Sequence, residues 1–223
     1  MALEKLRSIW ERTLNPIVES LSWMSPATIT WIALPIGILG GLSVYLAPED
    51  NFGASMLLGG GLLITLAMAL DGLDGPVARA TGRVTRWGDY LDHTFDRLLD
   101  AVWIICISAS VFVDDIVLGL AAAWFTLLGS YMGTQAQSVG LGRNYGGFSR
   151  ADRLVTTFVG IAIAAIMAFN GSPDFELPSA VSDLIGFGAI NPLSAVLLIS
   201  LVGGIWTFLT RAISSRRQLL DGE

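Results

Sequence analysis

The stretch DGLDGPVARATGRVTRWGDYLDHTFD at residues 71–96 separates two apolar runs and decides how the chain folds. Residues 52–70 carry no ionisable side chain, and beyond the stretch the chain is apolar from Ala101 onward. About 20 apolar residues in a helix cross the roughly 30 Å hydrocarbon core of a bilayer, because only a helix satisfies its own backbone polar groups there. The stretch therefore predicts two membrane helices joined by a short polar turn near Thr81 and Gly82.

The composition of the whole chain is that of a membrane protein. Of its 223 residues 53% are hydrophobic and only 14% are charged, and the mean hydropathy is +0.63. This leaves too few polar side chains to cover a water-soluble globule. The sequence predicts an all-α membrane protein with a single domain over residues 1–223 and six transmembrane helices. Their predicted bounds are about 27–47, 52–78, 86–113, 116–142, 151–173 and 184–212.

The basic residues predict the orientation of these helices. All 13 lysines and arginines lie at the termini, or in or beside the second-to-third and fourth-to-fifth connections, which a six-span chain places on one side. The opposite loops carry only acidic residues, among them Glu49, Asp114 and Asp174. Because positively charged loops stay in the cytoplasm, we expect both termini to be cytoplasmic and the protein to be integral to the plasma membrane.

Residues 2–22 have the periodicity of an amphipathic helix. Apolar residues recur at steps of three and four from Leu3 to Leu21, opposite a charged face that includes Lys5 and Glu11. This pattern is typical of a helix that lies in the membrane interface. A helix that packs as a cap on the bundle has the same periodicity, so both arrangements stay open.

Four aspartates within the quoted stretch have helical spacing. Asp71 and Asp74 are one turn apart, and Asp92 and Asp96 lie at positions i and i+4, so each pair projects from one helix face. The short turn makes the two helices antiparallel neighbours and brings both pairs to one level at the cytoplasmic boundary. Carboxylates so close together repel one another unless cations neutralise them, and all-oxygen ligands suit Mg²⁺ or Mn²⁺. We therefore predict two metal ions at these four aspartates.

Small residues and an arginine share the surface next to these carboxylates. Gly75 and Ala78 follow the first pair, and Gly88 precedes the second pair by one turn. Small side chains let a ligand approach the backbone, and Arg79 adds a guanidinium fork that suits a phosphate. Together with the metal ions, these residues predict a site for a diphosphate.

Written out, the spacing is Asp71-x2-Asp74-Gly75-x2-Ala78-Arg79-x8-Gly88-x3-Asp92-x3-Asp96, which resembles without departure the signature of the CDP-alcohol phosphatidyltransferase family. The resemblance implies transfer of a phosphatidyl or archaetidyl group from a CDP-linked lipid to an alcohol, with release of CMP. It implies that Asp96 is the catalytic base and that the metal ligands are Asp71, Asp74, Asp92 and Asp96. It implies a nucleotide site formed by Thr30, Asp71, Asp74, Gly75, Ala78, Arg79 and Gly88. Ala27 stands where the family usually has asparagine.

The acceptor is predicted from the second cytoplasmic connection, QAQSVGLGRNYGGFSRADR at residues 135–153. Arg143, Arg150 and Arg153 share it with a single acid, Asp152, which favours an anionic acceptor. Positive-inside anchoring would explain the same arginines. The Ser-Arg-Ala-Asp-Arg segment is similar to synthases of the family that use inositol phosphate. We therefore expect these three arginines to bind a phosphorylated polyol, inositol phosphate ahead of glycerol phosphate.

Two other classes of membrane protein place aspartates on membrane helices. A prenyl-diphosphate-dependent transferase also binds a diphosphate through Mg²⁺, but its acidic motifs lie far apart in the chain, whereas Asp74 and Asp92 are close. A divalent-cation transporter needs polar groups across the membrane, and the apolar run after Asp100 has no ionisable residue. The expected partners are the CDP-linked lipid, the phosphorylated alcohol, membrane lipid and, by the resemblance, a second copy in a homodimer. No nucleic acid is expected.

Consecutive glycines predict close helix contacts. Residues 59–61 are all glycine, as are Gly203 and Gly204. Small residues let helix backbones approach each other in a membrane. The sequence leaves open whether these contacts lie within one chain or in a dimer.

Overall fold

The structure, a computed structural model, describes residues 15–142, 146–180, 182 and 188–221. The long helices of this part are α1 Pro26–Tyr45, α2 Asn51–Ala80, α3 Arg86–Ser108, α4 Ile116–Ser138, α5 Arg150–Asn170 and α6 Pro192–Leu220. Two short strands, β1 Phe175–Glu176 and β2 Ala189–Ile190, pair antiparallel before α6. Residues 15–21 are also helical.

Each long helix begins after a residue whose side chain caps it. The cap accepts a hydrogen bond from the backbone amide three residues further on, because the first amides of a helix have no partner within it. The caps are Ser25, Asp50, Thr85, Asp115, Ser149 and Asn191. These polar residues explain why the predicted starts of the first five spans lie within a few residues of the observed ones.

The observed helices differ from the predicted spans at several ends. The sixth span was expected from residue 184, but Ala189 and Ile190 form a strand and α6 begins at Pro192. Proline disfavours helical backbone in the residue before it, so Asn191 is extended and caps the helix instead. The helix then continues to Leu220, beyond the predicted end at 212. The helices α3, α4 and α5 end a few residues before the predicted ends of the third, fourth and fifth spans.

Five of the six long helices, α1, α2, α4, α5 and α6, are long and apolar enough to cross a membrane. The remaining helix, α3, has 23 residues but carries most of its charged side chains in its first half. The described residues therefore form an all-helical membrane protein with five candidate spans and one further long helix. The prediction of six spans is left as a prediction.

α1 packs against both α2 and α3, α5 packs against α2 and α6, and α4 packs against α3 and α6. Buried apolar residues such as Leu57, Leu99, Ile161 and Leu197 fill the space between these helices. Trp103 on α3 donates a 2.8 Å hydrogen bond from Nε1 to the carbonyl oxygen of Gly37 on α1. The neighbours predicted from the turn, α2 and α3, make few direct backbone contacts, because α1 lies against both.

The glycines make close helix contacts within one chain, which is one of the two alternatives that the sequence left open. A Cβ atom added to Gly60 on α2 would lie 2.8 Å from the carbonyl oxygen of Gly40 on α1, and one added to Gly61 would lie 3.1 Å from Ile161. Gly59 faces open space, with no heavy atom within 4 Å. The predicted close contact between helices is therefore confirmed for Gly60 and Gly61, and a Cβ atom on Gly204 of α6 would likewise lie 2.9 Å from the backbone of Phe125 on α4.

Most of the predicted amphipathic helix, residues 2–14, lies outside the described residues. In the helical part at 15–21, Val18 is buried against Ile29 on α1 and against Leu73 and Val77 on α2. This apolar cluster holds residues 15–21 against the start of α1 and the end of α2.

Candidate active site

Three of the four predicted metal ligands come together in the structure. Asp71, Asp74 and Asp92 each offer one carboxylate oxygen, and the three oxygens lie within 4.8 Å of one another. Asp71 and Asp74 are buried on α2, and Asp92 reaches them from the second turn of α3 with 34% of its side chain exposed. We call these residues the carboxylate triad. An all-oxygen set at this spacing fits a hard divalent cation such as Mg²⁺ or Mn²⁺.

Thr30 on α1 fixes one member of the triad. Its hydroxyl donates a 2.6 Å hydrogen bond to Oδ2 of Asp74, and the threonine is only 2% exposed. A hydrogen bond to an ionised carboxylate is short and strong. Thr30, predicted as a nucleotide contact, is therefore placed in this structure as a residue that orients Asp74.

A cleft of about 560 Å³ opens beside the triad. It lies among the start of α1, the end of α2, the turn after α2 and the first turns of α3. Its lining includes every residue predicted to bind the nucleotide except Asp71, namely Thr30, Asp74, Gly75, Ala78, Arg79 and Gly88. Ala27, which replaces the asparagine usual in the family, also lines it.

The small residues of the cleft are needed where other groups approach closely. A Cβ atom on Gly75 would lie 3.3 Å from Nη1 of Arg79, so the guanidinium lies across the glycine. Gly88 donates its backbone N–H to Oγ1 of Thr85, the cap of α3, at 3.0 Å. The end of α2 and the start of α3 thus present an arginine and exposed backbone to the same cleft.

Asp96, one turn beyond Asp92 on α3, lies beside the triad rather than within it. Its Oδ1 contacts Nη1 of Arg150, and its Oδ2 lies 3.5 Å from Nη2 of Arg97. Only 9% of the Asp96 side chain is exposed. The residue predicted as base and fourth metal ligand is therefore linked to the triad through an arginine.

Arg150, the first residue of α5, bridges two of the aspartates. Its Nη1 donates a 2.6 Å hydrogen bond to Oδ2 of Asp71 and also contacts Oδ1 of Asp96. Its Nε lies 3.9 Å from Oδ1 of Asp100. Two of its nitrogens, Nε and Nη2, are buried without a hydrogen-bond partner. Ser149 caps α5 through a reciprocal capping box with Asp152, which fixes the backbone from which Arg150 extends.

Arg153, one turn further along α5, pairs with Asp100 below the site. Its Nη2 donates a 2.7 Å hydrogen bond to Oδ2 of Asp100, and both side chains are at least 90% buried. Arg97 also approaches Asp100, at 3.4 Å, and donates a 2.8 Å hydrogen bond to Ser130 on α4. The third predicted acceptor ligand, Arg143, lies outside the described residues.

Several residues near the site were not predicted from the sequence. Arg83, Trp87 and His93 line the cleft. Arg211 on α6 donates hydrogen bonds to the carbonyl oxygens of Gly146, at 3.1 Å, and Gly129, at 2.8 Å. The sequence showed Arg211 only as one of several cytoplasmic charges, because nothing in its neighbourhood along the chain indicates this contact.

A bundle of apolar helices that opens a cleft of carboxylates and arginines at one end defines a metal-dependent membrane transferase. The chain belongs to the CDP-alcohol phosphatidyltransferase family, whose sequence profile matches residues 23–206. This match confirms the resemblance carried by the aspartate signature and excludes the prenyl-diphosphate transferase and the cation transporter.

Curated relatives cover most of this chain. A phosphatidylinositol phosphate synthase from Cutibacterium acnes is 33% identical over 200 residues, which are 85% of this chain and 93% of that protein. An archaetidylinositol phosphate synthase from Aeropyrum pernix is 32% identical over 194 residues, 84% of this chain and 92% of that protein. The two differ in the lipid and share the inositol phosphate part of their names.

Solved structures share the fold. The crystal structure of Mycobacterium tuberculosis phosphatidylinositol phosphate synthase with CDP-DAG bound has a TM-score of 0.68 and 23% identity over 92% of this chain and 94% of that chain. The same synthase in complex with manganese and citrate has a TM-score of 0.66, with 90% of this chain and 87% of that chain covered. At such identities the likeness establishes the arrangement of the helices.

Proposed function

We propose that the chain transfers the phosphatidyl or archaetidyl group of a CDP-linked lipid to a hydroxyl of inositol phosphate and releases CMP. One observation carries the proposal: Arg150 and Arg153 of α5 reach the aspartates next to the cleft that holds the family signature. Guanidinium groups beside the proposed base are placed to hold a phosphorylated acceptor. Relatives named for inositol phosphate products support this choice.

The cleft beside the triad is the proposed donor site. The guanidinium of Arg79 offers two N–H groups to the diphosphate. Gly75 and Gly88 have no side chain, so the diphosphate can approach the backbone there. Asp71, Asp74 and Asp92 would hold the divalent metal, with Thr30 orienting Asp74. The metal supplies positive charge that offsets the diphosphate and the leaving CMP.

Asp96 is the proposed general base. The acceptor hydroxyl oxygen forms a bond to the lipid-side phosphorus, and the bond from that phosphorus to the CMP oxygen breaks, so the electron pair leaves with CMP. The hydroxyl proton passes to a carboxylate oxygen of Asp96, which contributes about 10² to 10⁴ in rate for a base of this kind. For Oδ1 of Asp96 to serve as a fourth metal ligand, Arg150 would have to move away from that oxygen.

The phosphate of the acceptor is proposed to bind Arg150 and Arg153, together with Arg143. Arg150 has two buried nitrogens without a hydrogen-bond partner, which suits an incoming anion. Glycerol phosphate is the second candidate acceptor, because it carries the same phosphate on a smaller polyol.

The proposed topology has six spans, with α3 as the sixth. A helix of 23 residues is about 35 Å long and crosses the hydrocarbon core. Both termini and the cleft then face the cytoplasm of a plasma membrane, where one substrate remains in lipid and the other arrives from water. Residues 2–22 lie along that interface, residues 1–223 form one domain, and two copies form a homodimer.

The test is CMP release from a CDP-linked lipid by purified protein in lipid nanodiscs with Mn²⁺. Inositol phosphate, glycerol phosphate, serine and free inositol are compared in parallel, and the product is identified by mass spectrometry. We expect the lipid product to require inositol phosphate and its formation to fall in Arg150→Gln and Arg153→Gln but not in Arg217→Gln, an exposed arginine at the end of α6. Acceptor binding that is independent of Arg150 and Arg153 would overturn the assignment.

A further inference from the structure

Arg150 contacts the carboxylate of Asp96, the proposed general base. A general base takes a proton through a free lone pair within about 2.6 to 3.2 Å of the hydroxyl. In the structure, Oδ1 of Asp96 is covered by Nη1 of Arg150, and Arg97 lies 3.5 Å from Oδ2. The Asp96 side chain is 91% buried, so little of it remains open to another partner. An acceptor hydroxyl that approaches Oδ1 of Asp96 therefore meets Arg150 first.

The same guanidinium is incompletely satisfied where it lies. Nη1 contacts both Asp71 and Asp96, while Nε and Nη2 are buried without hydrogen-bond partners. A buried donor without a partner is destabilising, because it has lost its hydrogen bonds to water. A phosphate group offers a guanidinium two parallel hydrogen bonds, so an incoming phosphate competes well against the aspartates.

Arg150 is also free to change partners without unfolding the helix. It is the first residue of α5, and the capping box between Ser149 and Asp152 holds the backbone in place. Arg153, by contrast, is anchored by a 2.7 Å hydrogen bond to Asp100, with both side chains buried. Of the two arginines, Arg150 is the more exposed, with 22% of its side chain accessible against 10% for Arg153.

We propose that Arg150 is a specificity-determining switch that covers Asp96 until the phosphate of the acceptor draws the guanidinium away. The inference rests on the proposed function, because it assumes a phosphorylated acceptor. Water and unphosphorylated alcohols lack the phosphate, so Asp96 stays covered in their presence. The switch thus protects the donor from hydrolysis, in which water would bond to the lipid-side phosphorus, CMP would leave and a proton would pass to Asp96.

A first experiment measures CMP release from CDP-linked lipid with Mn²⁺ and no acceptor. The wild type should release CMP slowly, and Arg150→Gln should release it at least about tenfold faster, because the base is uncovered. Inorganic phosphate should accelerate release by the wild type and leave Arg150→Gln unchanged. Arg217→Gln serves as the matched control and should behave as the wild type. Equal slow release by all three proteins, with no effect of phosphate, would overturn the switch.

A second experiment reads Mn²⁺ binding instead of turnover, by electron paramagnetic resonance of the free ion. Arg150 competes with a metal for Asp71, so inositol phosphate should tighten Mn²⁺ binding to the wild type by about five- to 150-fold, a typical coupling between two sites. Arg150→Gln should bind Mn²⁺ more tightly than the wild type and show no such coupling. Mn²⁺ affinity that is the same with and without inositol phosphate in the wild type would refute the inference.

The two proposals fail separately. If the wild type transfers to inositol phosphate but shows neither phosphate-stimulated release nor coupled Mn²⁺ binding, the switch is wrong and the function stands. If inorganic phosphate stimulates release but inositol phosphate gives no lipid product, the switch stands and the proposed acceptor is wrong.

Discussion

Replacing Thr30 with valine tests whether α1 orients the carboxylate triad. Valine has nearly the shape of threonine but lacks the hydroxyl that donates a 2.6 Å hydrogen bond to Asp74. A hydrogen bond to a charged group contributes about 1.5 to 3 kcal/mol, and each 1.4 kcal/mol is a factor of ten. Mutation of residues that orient metal ligands typically costs 10- to 100-fold in affinity. We therefore expect Thr30→Val to weaken Mn²⁺ binding by about 10- to 100-fold.

The assay is a Mn²⁺ titration of the purified protein, with thermal unfolding recorded for each variant. Thr30→Ser keeps the hydroxyl and should retain most of the affinity. Thr65→Val makes the same chemical change on the exposed face of α2, where the hydroxyl bonds only to the carbonyl oxygen of Gly61, and should leave the affinity unchanged. The reasoning is refuted if Thr30→Val and Thr65→Val bind Mn²⁺ equally well.

Three further changes test the base, the helix packing and the metal. Asp96→Asn should lower the transfer rate by about 10² to 10⁴ while CDP-lipid affinity remains nearly intact, and normal turnover would exclude the base assignment. Gly60→Ala should destabilise the protein by about 1 to 3 kcal/mol and so lower its unfolding temperature, because the new methyl would lie 2.8 Å from the carbonyl oxygen of Gly40. Gly59→Ala is the control, because its new methyl would have no heavy atom within 4 Å. Similar unfolding temperatures for the two variants would contradict this packing. Chelation with EDTA should abolish CMP release and added Mn²⁺ should restore it; release that persists in EDTA would argue against a metal-dependent reaction.

Local features of the sequence predicted most of the fold and part of the site. The long apolar runs and the polar caps that precede them determine where the helices lie. Asp71 and Asp74 are one turn apart on any helix, and the short connection to α3 limits how far Asp92 can be from them. Their contact is therefore a consequence of helix geometry and a five-residue link, and both are visible in the sequence.

Contacts between distant parts of the chain were harder to predict. Arg150 is 79 positions from Asp71 in the chain. Whether its guanidinium faces solvent, an acceptor or the aspartates depends on how α5 packs against α2. The turn alone could not show that α1 lies against both α2 and α3. The late start of α6 follows from Pro192 and its cap Asn191, whereas the two-residue strands β1 and β2 have no periodicity to detect.

The charged first half of α3 has a consequence for biosynthesis. This helix is less apolar than the other five, and its buried Asp96 and Asp100 find their guanidinium partners mainly on α5, which the ribosome makes later. A nascent chain that has not yet reached Arg150 holds these two carboxylates without those partners, and burying a lone carboxylate in lipid is costly. The ion pairs that Asp96 and Asp100 make with Arg150 and Arg153 therefore form only after α5 has been synthesised.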